Sequence, residues 1–358
     1  MKIGILTFTD TTNYGASLQA YALQQALTGK GQQVEIISYT NENVYAMHDP
    51  YGVFKWHGVK KLLAPFAFRV YRKRQEKFKE FEGKYCTFSN RCEKATFAKF
   101  TGRYDRIVVG SDQVWNTDIT GDDRTFFLDS IPDRKKKYSY AASVGTGYFS
   151  NNAGKYEKLL KEFSLISVRE EETAETLKKS IGRDDVTCDV DPTLLIRHQW
   201  IDFVNDENPY GDYILMYLTP EGKDLLNAVR EFARKAGCKI ILLKKSVVRR
   251  KGIRVINVAS PADFINLVAH AKHIVTGSFH ALCFSIIFEK SFYTTSSTEK
   301  SRHGRLVNML NVLGLTDRNI SGPDYRFAEN KIDYHSVNNR LDEEVKKSLK
   351  TIEKICQE

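Results

Sequence analysis

Strand, helix and strand follow one another within the first forty residues, and this constrains the fold more than any other feature of the chain. Lys2–Phe8 has the character of a short buried strand. After a polar turn, Ala16, Ala20, Leu23 and Leu27 recur at helical spacing, and Gly29 and Gly31 end the helix. Gln33–Tyr39 is a second β-rich run. Such a βαβ unit requires a parallel sheet. Further strands are predicted at Tyr104–Val109, Lys137–Ser143, Leu165–Val168 and Val186–Cys188, with helices around Tyr156–Phe163 and Glu170–Lys179.

Around His198–Asp212 the sequence turns polar, with Asp206, Asn208, Pro209 and Gly211 close together, and a domain boundary is placed there. A second alternation follows: strand Tyr213–Leu218, helix Leu225–Ala236, strand Lys239–Leu243, helix Ala262–Ala269, strand His273–Thr276, helix Phe279–Phe288 and strand Phe292–Thr295. Helix Arg305–Leu313 and a charged tail helix from near Leu341 complete the chain. The expected organisation is an α/β domain over residues 1–205, a second over 206–335, and a terminal helix within 336–358 that packs back on the first. Two successive α/β sheets imply a cleft, and open α/β sheets bind ligands at the carboxyl ends of their strands.

Lysine and arginine outnumber the acids, 54 to 44. The excess fits an anionic partner: a phosphorylated metabolite, an acidic membrane face or a nucleic acid. Six cysteines without a CxxC pair argue against a zinc ribbon, a redox dithiol or a disulfide framework. No apolar run reaches the roughly 18 residues of a membrane span. The run Ile3–Phe8 meets Asp10 too soon for a signal-peptide core, so a cytoplasmic protein is expected.

Several segments carry candidate chemistry. Asn13, Tyr14 and Gly15, at the first strand-to-helix turn, offer close backbone approach and the N–H groups of a helix start, the parts of an anion cradle. A plain capped turn, with Asn13 or Thr12 as the cap, is the alternative. Val108–Asn116 delivers Ser111, Asp112 and Trp115 at a strand end. Asp112 can orient a base or accept a hydroxyl proton; otherwise Ser111 or Asp112 caps a helix and Trp115 enters the core. His280 falls in the first turn of a helix behind the strand ending at Thr276, a position that suits an acid/base near neutral pH. Packing on the sheet with a bond to a carbonyl is the competing role. Arg169 directly follows a strand, and Arg302 and Arg305 precede a helix; a planar guanidinium fork suits a carboxylate or phosphate.

Phe54–Lys84 mixes Lys55, Lys60, Lys61, Arg69, Arg72, Lys73, Arg74, Lys77, Lys79 and Lys84 with Trp56, Leu62, Leu63, Phe66, Phe68 and Tyr71, against Glu76, Glu80 and Glu82 alone. A stretch of this kind either lies on an anionic membrane or forms an ordinary solvated helix face.

Taken together, these residues resemble the polysaccharide pyruvyl transferases. The motifs are Asn13-Tyr-Gly-Ala-Ser-Leu-Gln-Ala-Tyr-Ala-Leu23, Val109-Gly-Ser-Asp-Gln-Val-Trp-Asn116, Ser139-Tyr-Ala-Ala-Ser143, Ile166-Ser-Val-Arg-Glu170, Asp191-Pro-Thr-Leu194 and Ser278-Phe-His280, in family order. The resemblance implies two Rossmann-like α/β domains facing a cleft, the GT-B arrangement of glycosyltransferases. It also implies transfer of the enolpyruvyl group of phosphoenolpyruvate onto a sugar, closing a ketal across two hydroxyls and releasing phosphate.

His280 matches the family's catalytic histidine, with Asp112 expected beside it in catalysis. Arg169 matches an arginine proposed to hold phosphoenolpyruvate. Asn13, Tyr14, Gly15, Ser111, Ser278, Arg302 and Arg305 complete the expected substrate-binding set. One departure stands out: some members carry an arginine two residues before the histidine, where this chain has Ser278, so Arg302, Arg305 or a lysine must supply that charge.

Phosphoenolpyruvate is a co-substrate in this scheme, which needs no cofactor and no metal. The expected partners are a sugar acceptor, soluble or lipid-linked, and the inner face of an anionic membrane. Nucleic acid is not expected, since no recognised module is present. The runner-up is a nucleotide-sugar glycosyltransferase on the same fold, with Glu289 on the ribose. A non-catalytic binding protein is the third reading.

Overall fold

The first βαβ unit forms as its pattern requires. β1 (Lys2–Leu6) and β2 (Gln33–Ile36) pair in parallel, joined by the helix Tyr14–Thr28. β3 (Arg106–Gly110) pairs with the other edge of β1 and with β4 (Lys137–Tyr140), giving the order β2-β1-β3-β4. Isolated bridges from Tyr138 to Leu165 and from Ala142 to Val168 carry the parallel run on to β5 (Ser167–Val168), which pairs with β6 (Thr187–Cys188). Both faces are covered. Ile3, Ile5 and Val108 pack with Ala20, Leu23 and Leu27 of the first helix and with Ile352 and Ile355 near the end of the chain. Leu6, Ile107 and Val109 enter a second cluster with Trp115 and Phe127. Burial on both faces is why β1 and β3 read as nearly unbroken apolar runs.

The structure used is a computed structural model, and it describes residues 1–145, 153–219, 222–245, 250–295, 300–320 and 325–357. The chain divides into two compact units. The first comprises Met1–Asp49, Lys79–Ile196 and Asp342–Glu358; the second comprises Pro50–Phe78 and Arg197–Leu341. In the second, β7 (Tyr213–Tyr217), β8 (Lys239–Leu243), β9 (Arg254–Ile256), β10 (His273–Thr276) and β11 (Ser291–Thr294) form a fully parallel sheet ordered β11-β10-β7-β8-β9. Ile214, Met216 and Val275 pack on Leu225, Val229 and Ala233 of the helix Lys223–Ala236.

Residues 50–78 lie inside 1–205 by sequence order, yet they pack with the second unit. Lys77 Nζ reaches Asp263 Oδ2 at 2.7 Å, and Lys245 Nζ sits 3.9 Å from the centre of the Tyr71 ring. The helix that carries them, Ala64–Tyr85, passes from one unit into the other. The terminal helix runs Tyr334–Cys356, beginning well before Leu341. All six cysteines are free thiols. Among the described residues no helix is long and apolar enough to cross a membrane.

Several strands stop two or three residues short of their apolar patterns, always at the carboxyl end: β1 at Leu6 rather than Phe8, β2 at Ile36 rather than Tyr39, β4 at Tyr140 rather than Ser143. The extra residues have left the ladder for other partners. Tyr39 donates its hydroxyl to Asp123 at 2.5 Å, and Ala141 turns to a φ of 45°.

Close strand packing fixes Gly110, where a Cβ would lie 2.1 Å from the Tyr140 carbonyl oxygen. Gly110→Ala is expected to destabilise by about 1–3 kcal/mol through overpacking. Gly154→Ala, in the helix Ala153–Leu160 with open space around it, is expected to be neutral or to stabilise by up to about 1 kcal/mol. Urea midpoints of the two variants test the contrast.

Candidate active site

In the first unit a buried relay ties the ends of β1 and β3 together. Gln19 donates from Nε2 to Thr7 Oγ1 at 2.9 Å and accepts from the Ser111 backbone N–H at 3.2 Å. Ser111 then donates its hydroxyl to Asp191 Oδ2 at 3.3 Å. Asp112 follows with a φ of 60°, an uncommon left-handed conformation for a residue with a side chain. Its carbonyl accepts from both Val114 and Ser143, which holds that turn in place. Trp115 is a core residue: it is fully buried, stacks on Phe127 and donates to the Phe126 carbonyl at 2.8 Å.

Arg169 leaves the end of β5 and enters a ring of three carboxylates. Nη1 donates to Asp191 Oδ2 at 2.9 Å; Nη2 lies 3.6 Å from Asp112 Oδ1, and Nε 3.8 Å from Glu170 Oε1. Burial opposes the guanidinium charge, but Asp191, Glu170 and Asp112 outweigh it and raise its pKa above the usual arginine value. Asp191 has a second task, capping the short helix Pro192–Leu195 by accepting from the Thr193 N–H at 3.0 Å. Glu170 Oε1 accepts the Ser143 hydroxyl at 2.5 Å, while its Oε2 is buried with no hydrogen-bond partner among the described residues. Glu170 and Asp191 had no role assigned from sequence. The signal was present, since both lie inside quoted motifs, but only the fold shows that they share one arginine.

Asn13, Tyr14 and Gly15 open the helix Tyr14–Thr28, and Asn13 caps it by accepting the Gly15 N–H at 3.0 Å. Tyr14 is fully buried. Ser17, one turn in, donates to Glu82 Oε1 at 3.0 Å. Burial pushes the Glu82 carboxyl up to about 7, with nearby Asp10 adding to the effect and the Ser17 hydroxyl opposing it. This helix start therefore has its own cap and its own acid close by.

In the second unit, Ser278 is the N-cap of the helix Phe279–Ile287, its Oγ accepting from the Ala281 N–H at 3.3 Å. Thr276 Oγ1 braces the turn by donating to the Tyr217 carbonyl and accepting from the Ser278 N–H. His280 is buried in the first turn, at the carboxyl end of β10. Gly277 is required here, because a Cβ would lie 2.5 Å from the Leu218 carbonyl oxygen. Thr295, just past β11, carries a buried hydroxyl without a hydrogen-bond partner among the described residues, 3.6 Å from that same Cβ position. Arg305 is buried in the helix Lys300–Leu313. Arg302 lies in that helix, but its side chain is outside the described residues. Glu289 lies past the far end of the His280 helix and accepts from Asn338 Nδ2 at 2.8 Å.

Two Rossmann-like parallel sheets with polar groups gathered at their strand ends define the GT-B class of α/β protein. Solved structures agree at the level of fold. UDP-GlcNAc 2-epimerase of Methanocaldococcus jannaschii, in complex with UDP-GlcNAc and UDP, aligns with a TM-score of 0.53 at 14% identity, over 99% of this chain and 98% of that one. A putative UDP-N-acetylglucosamine 2-epimerase from Listeria monocytogenes gives 0.50 at 12% identity, over 95% and 94%. No curated protein matches the sequence significantly. Within this class the chain belongs to the polysaccharide pyruvyl transferase family, whose profile matches residues 13–298. That family is one of transferases.

Two outcomes are expected from this geometry. Arg169→Gln leaves three carboxylates without their shared cation and should cost about 3–5 kcal/mol, read as a fall in denaturation midpoint. Glu82 works in the opposite sense. Its folded pKa lies above the unfolded reference of 4.5, so the folded state holds that proton more tightly and loses stability as pH rises from about 4.5 to about 7. Glu82→Gln should therefore stabilise by about 1–3 kcal/mol at pH ~8 and change little at pH ~4.5. Equal effects at the two pH values would refute the assignment.

Proposed function

We propose that this chain transfers the enolpyruvyl group of phosphoenolpyruvate onto two hydroxyls of a sugar in a polysaccharide or a lipid-linked glycan precursor, forming a pyruvate ketal and releasing phosphate. Family membership supports pyruvylation in general. The single observation that supports the mechanism most is the placement of His280 in the first turn of a helix at the carboxyl end of β10.

The chemistry sets the demands. The donor's methylene carbon takes up a proton and becomes a methyl group, and C2 becomes electron-poor. One sugar hydroxyl attacks C2, the C2–O bond to phosphate breaks, and the second hydroxyl attacks C2 to close the ring. Two hydroxyl protons are lost in all; one ends on the methyl carbon and one on phosphate. A single acid/base can deliver the first and collect another, and His280 is given that role. Such a group is worth about 10²–10⁴-fold in rate. Phosphoenolpyruvate brings its own activated carbon, so the scheme uses no further cofactor.

The charges divide the remaining labour. The donor's carboxylate and phosphate suit the second unit, where the start of the His280 helix, the Thr295 hydroxyl and the Arg305 cation favour anions. Arg305 is assigned the charge that Ser278 lacks. The strand ends of the first unit are acid-rich. A polyanion beside Arg169 would meet Asp112, Glu170 and Asp191 as well. A sugar hydroxyl suits that place, because a carboxylate such as Glu170, with its unpartnered Oε2, accepts its proton in a hydrogen bond. Asp112 is assigned the acceptor hydroxyl's proton, with Arg169 positioning both carboxylates rather than gripping the donor.

The runner-up, a nucleotide-sugar glycosyltransferase, relied on Glu289 for ribose. That residue lies past the opposite end of the helix Phe279–Ile287 from His280, and Asn338 already occupies its Oε1.

A donor screen with phosphate release as readout tests the reading: phosphoenolpyruvate should support turnover and raise the melting temperature, and uridine or guanosine diphosphate sugars should do neither. His280→Ala should lower turnover about 10²–10⁴-fold at unchanged melting temperature. Arg305→Lys should raise the donor KM. Arg169→Lys should raise the acceptor KM and leave the donor Kd near the wild-type value. A stable, fully active His280→Ala protein would remove the histidine from the mechanism.

A further inference from the structure

One surface of the second unit takes no part in this chemistry. Residues 50–63 form two short 3-10 turns, Pro50–Lys55 and Gly58–Leu63, leading into the helix Ala64–Tyr85. They fold around a very small core of Val53, Ala64 and Ala67, with Trp56, Phe68 and Tyr71 packed against it. Side chains that size cannot cover their larger neighbours. Leu62 is 82% exposed, Tyr51 64%, Phe66 56% and Phe54 50%. Tyr51, Phe54 and Phe68 form one aromatic group, with ring centres 5.0–6.5 Å apart.

Along the segment itself the charge has a single sign, although Arg72 pairs with Glu76, just beyond it, at 3.1 Å. From Pro50 to Gln75 the sequence contains no Asp or Glu. Lys55, Lys60, Lys61, Arg69, Arg72 and Lys73 are all exposed. Arg74 is not one of them: it is buried, with its guanidinium 5.4 Å from the Phe78 ring, so the run Arg72–Arg74 does not act as one basic patch.

We infer that this face docks on an anionic lipid bilayer, with Leu62 and Phe66 entering the headgroup boundary and the lysines and arginines held at the phosphates. Charge selects the occupant. A second copy of this chain would bring two like-charged faces together, which is unfavourable. A nucleic acid would use the cations but has no place for the exposed Leu62. A bilayer takes both, since lysine stems lie along apolar surface while their ammonium groups stay at the interface. The inference is independent of the donor and acceptor, because it uses none of the residues assigned to transfer.

Co-sedimentation of the full chain with vesicles tests it. Vesicles of phosphatidylcholine with about 30% phosphatidylglycerol should pellet the protein at about 0.05 M salt and release most of it at about 0.5 M, and phosphatidylcholine alone should not bind it. Each exposed lysine should contribute about fivefold, so K60Q with K61Q should weaken binding about 25-fold. Leu62→Gln with Phe66→Gln should abolish binding while the melting temperature stays close to the wild-type value, since both side chains are already more than half exposed to water. Three outcomes would overturn the inference: no binding to either vesicle, equal binding to both, or unchanged binding by the Leu62→Gln/Phe66→Gln protein. Ultracentrifugation showing a dimer that the same double variant dissolves would give the face to a second copy instead.

Discussion

Parallel pairing is the constraint on which the rest depends. Every strand of both main sheets runs the same way, so every chain crossing must return over a face of the sheet before the next strand begins. Covering both faces leaves only the strand ends for polar work. The carboxyl ends carry Asp10, Ser111, Asp112, Ser143, Arg169 and Glu170 in one unit, and Ser278, His280 and Thr295 in the other. Backbone strain gathers at the same places. Asp10, Asp112, Ala141 and Leu218 all take positive φ at or just past a strand end. A side chain in that region costs about 1–2 kcal/mol, and such costs persist where the surrounding fold enforces them.

The two units solve opposite electrostatic problems at these ends. In the first, one guanidinium serves three carboxylates, and a helix start close by faces a carboxyl that burial keeps partly protonated near neutral pH. In the second, the strand ends meet a helix N-terminus and a hydroxyl without a partner among the described residues, and the unit also holds the buried Arg305. Fixed dipoles favour negative charge there. The proposed donor is multiply charged and the proposed acceptor is a neutral polyol, so this division matches that proposal.

The fold was largely legible, and for a physical reason. Strands buried on both faces leave continuous apolar runs, and crossover helices leave their own spacing, so β1 to β8, β10 and β11 and most of their helices stand out in the text. β9 did not, because Arg254–Ile256 is three residues long and only half-buried. The place of residues 50–78 was hidden as well: which unit they join depends on contacts such as Lys77 with Asp263, made across nearly two hundred residues of sequence. Strand-end positions of His280, Asp112 and Arg169 could be read from the text. The partners of Arg169 could not, since Asp112 follows β3 and Asp191 follows β6, and they meet it only once isolated bridges have set β5 and β6 beside β4.

The departure at Ser278 shows how one position exchanges local stability for charge. A serine there accepts the Ala281 N–H and caps the helix Phe279–Ile287, a contribution of typically about 1 kcal/mol that an arginine side chain does not provide. The turn is further fixed by Thr276, which bonds both the Tyr217 carbonyl and the Ser278 N–H. His280 therefore sits on a helix whose first turn is held from within the chain, with no demand on a ligand to order it. The consequence is that the cation has to come from elsewhere. Arg305, on the next helix along the chain, is buried within the same unit, so a fixed guanidinium can complete the field while Ser278 secures the geometry. On this view rigidity and charge, which a single arginine would have to supply together, are divided here between two residues.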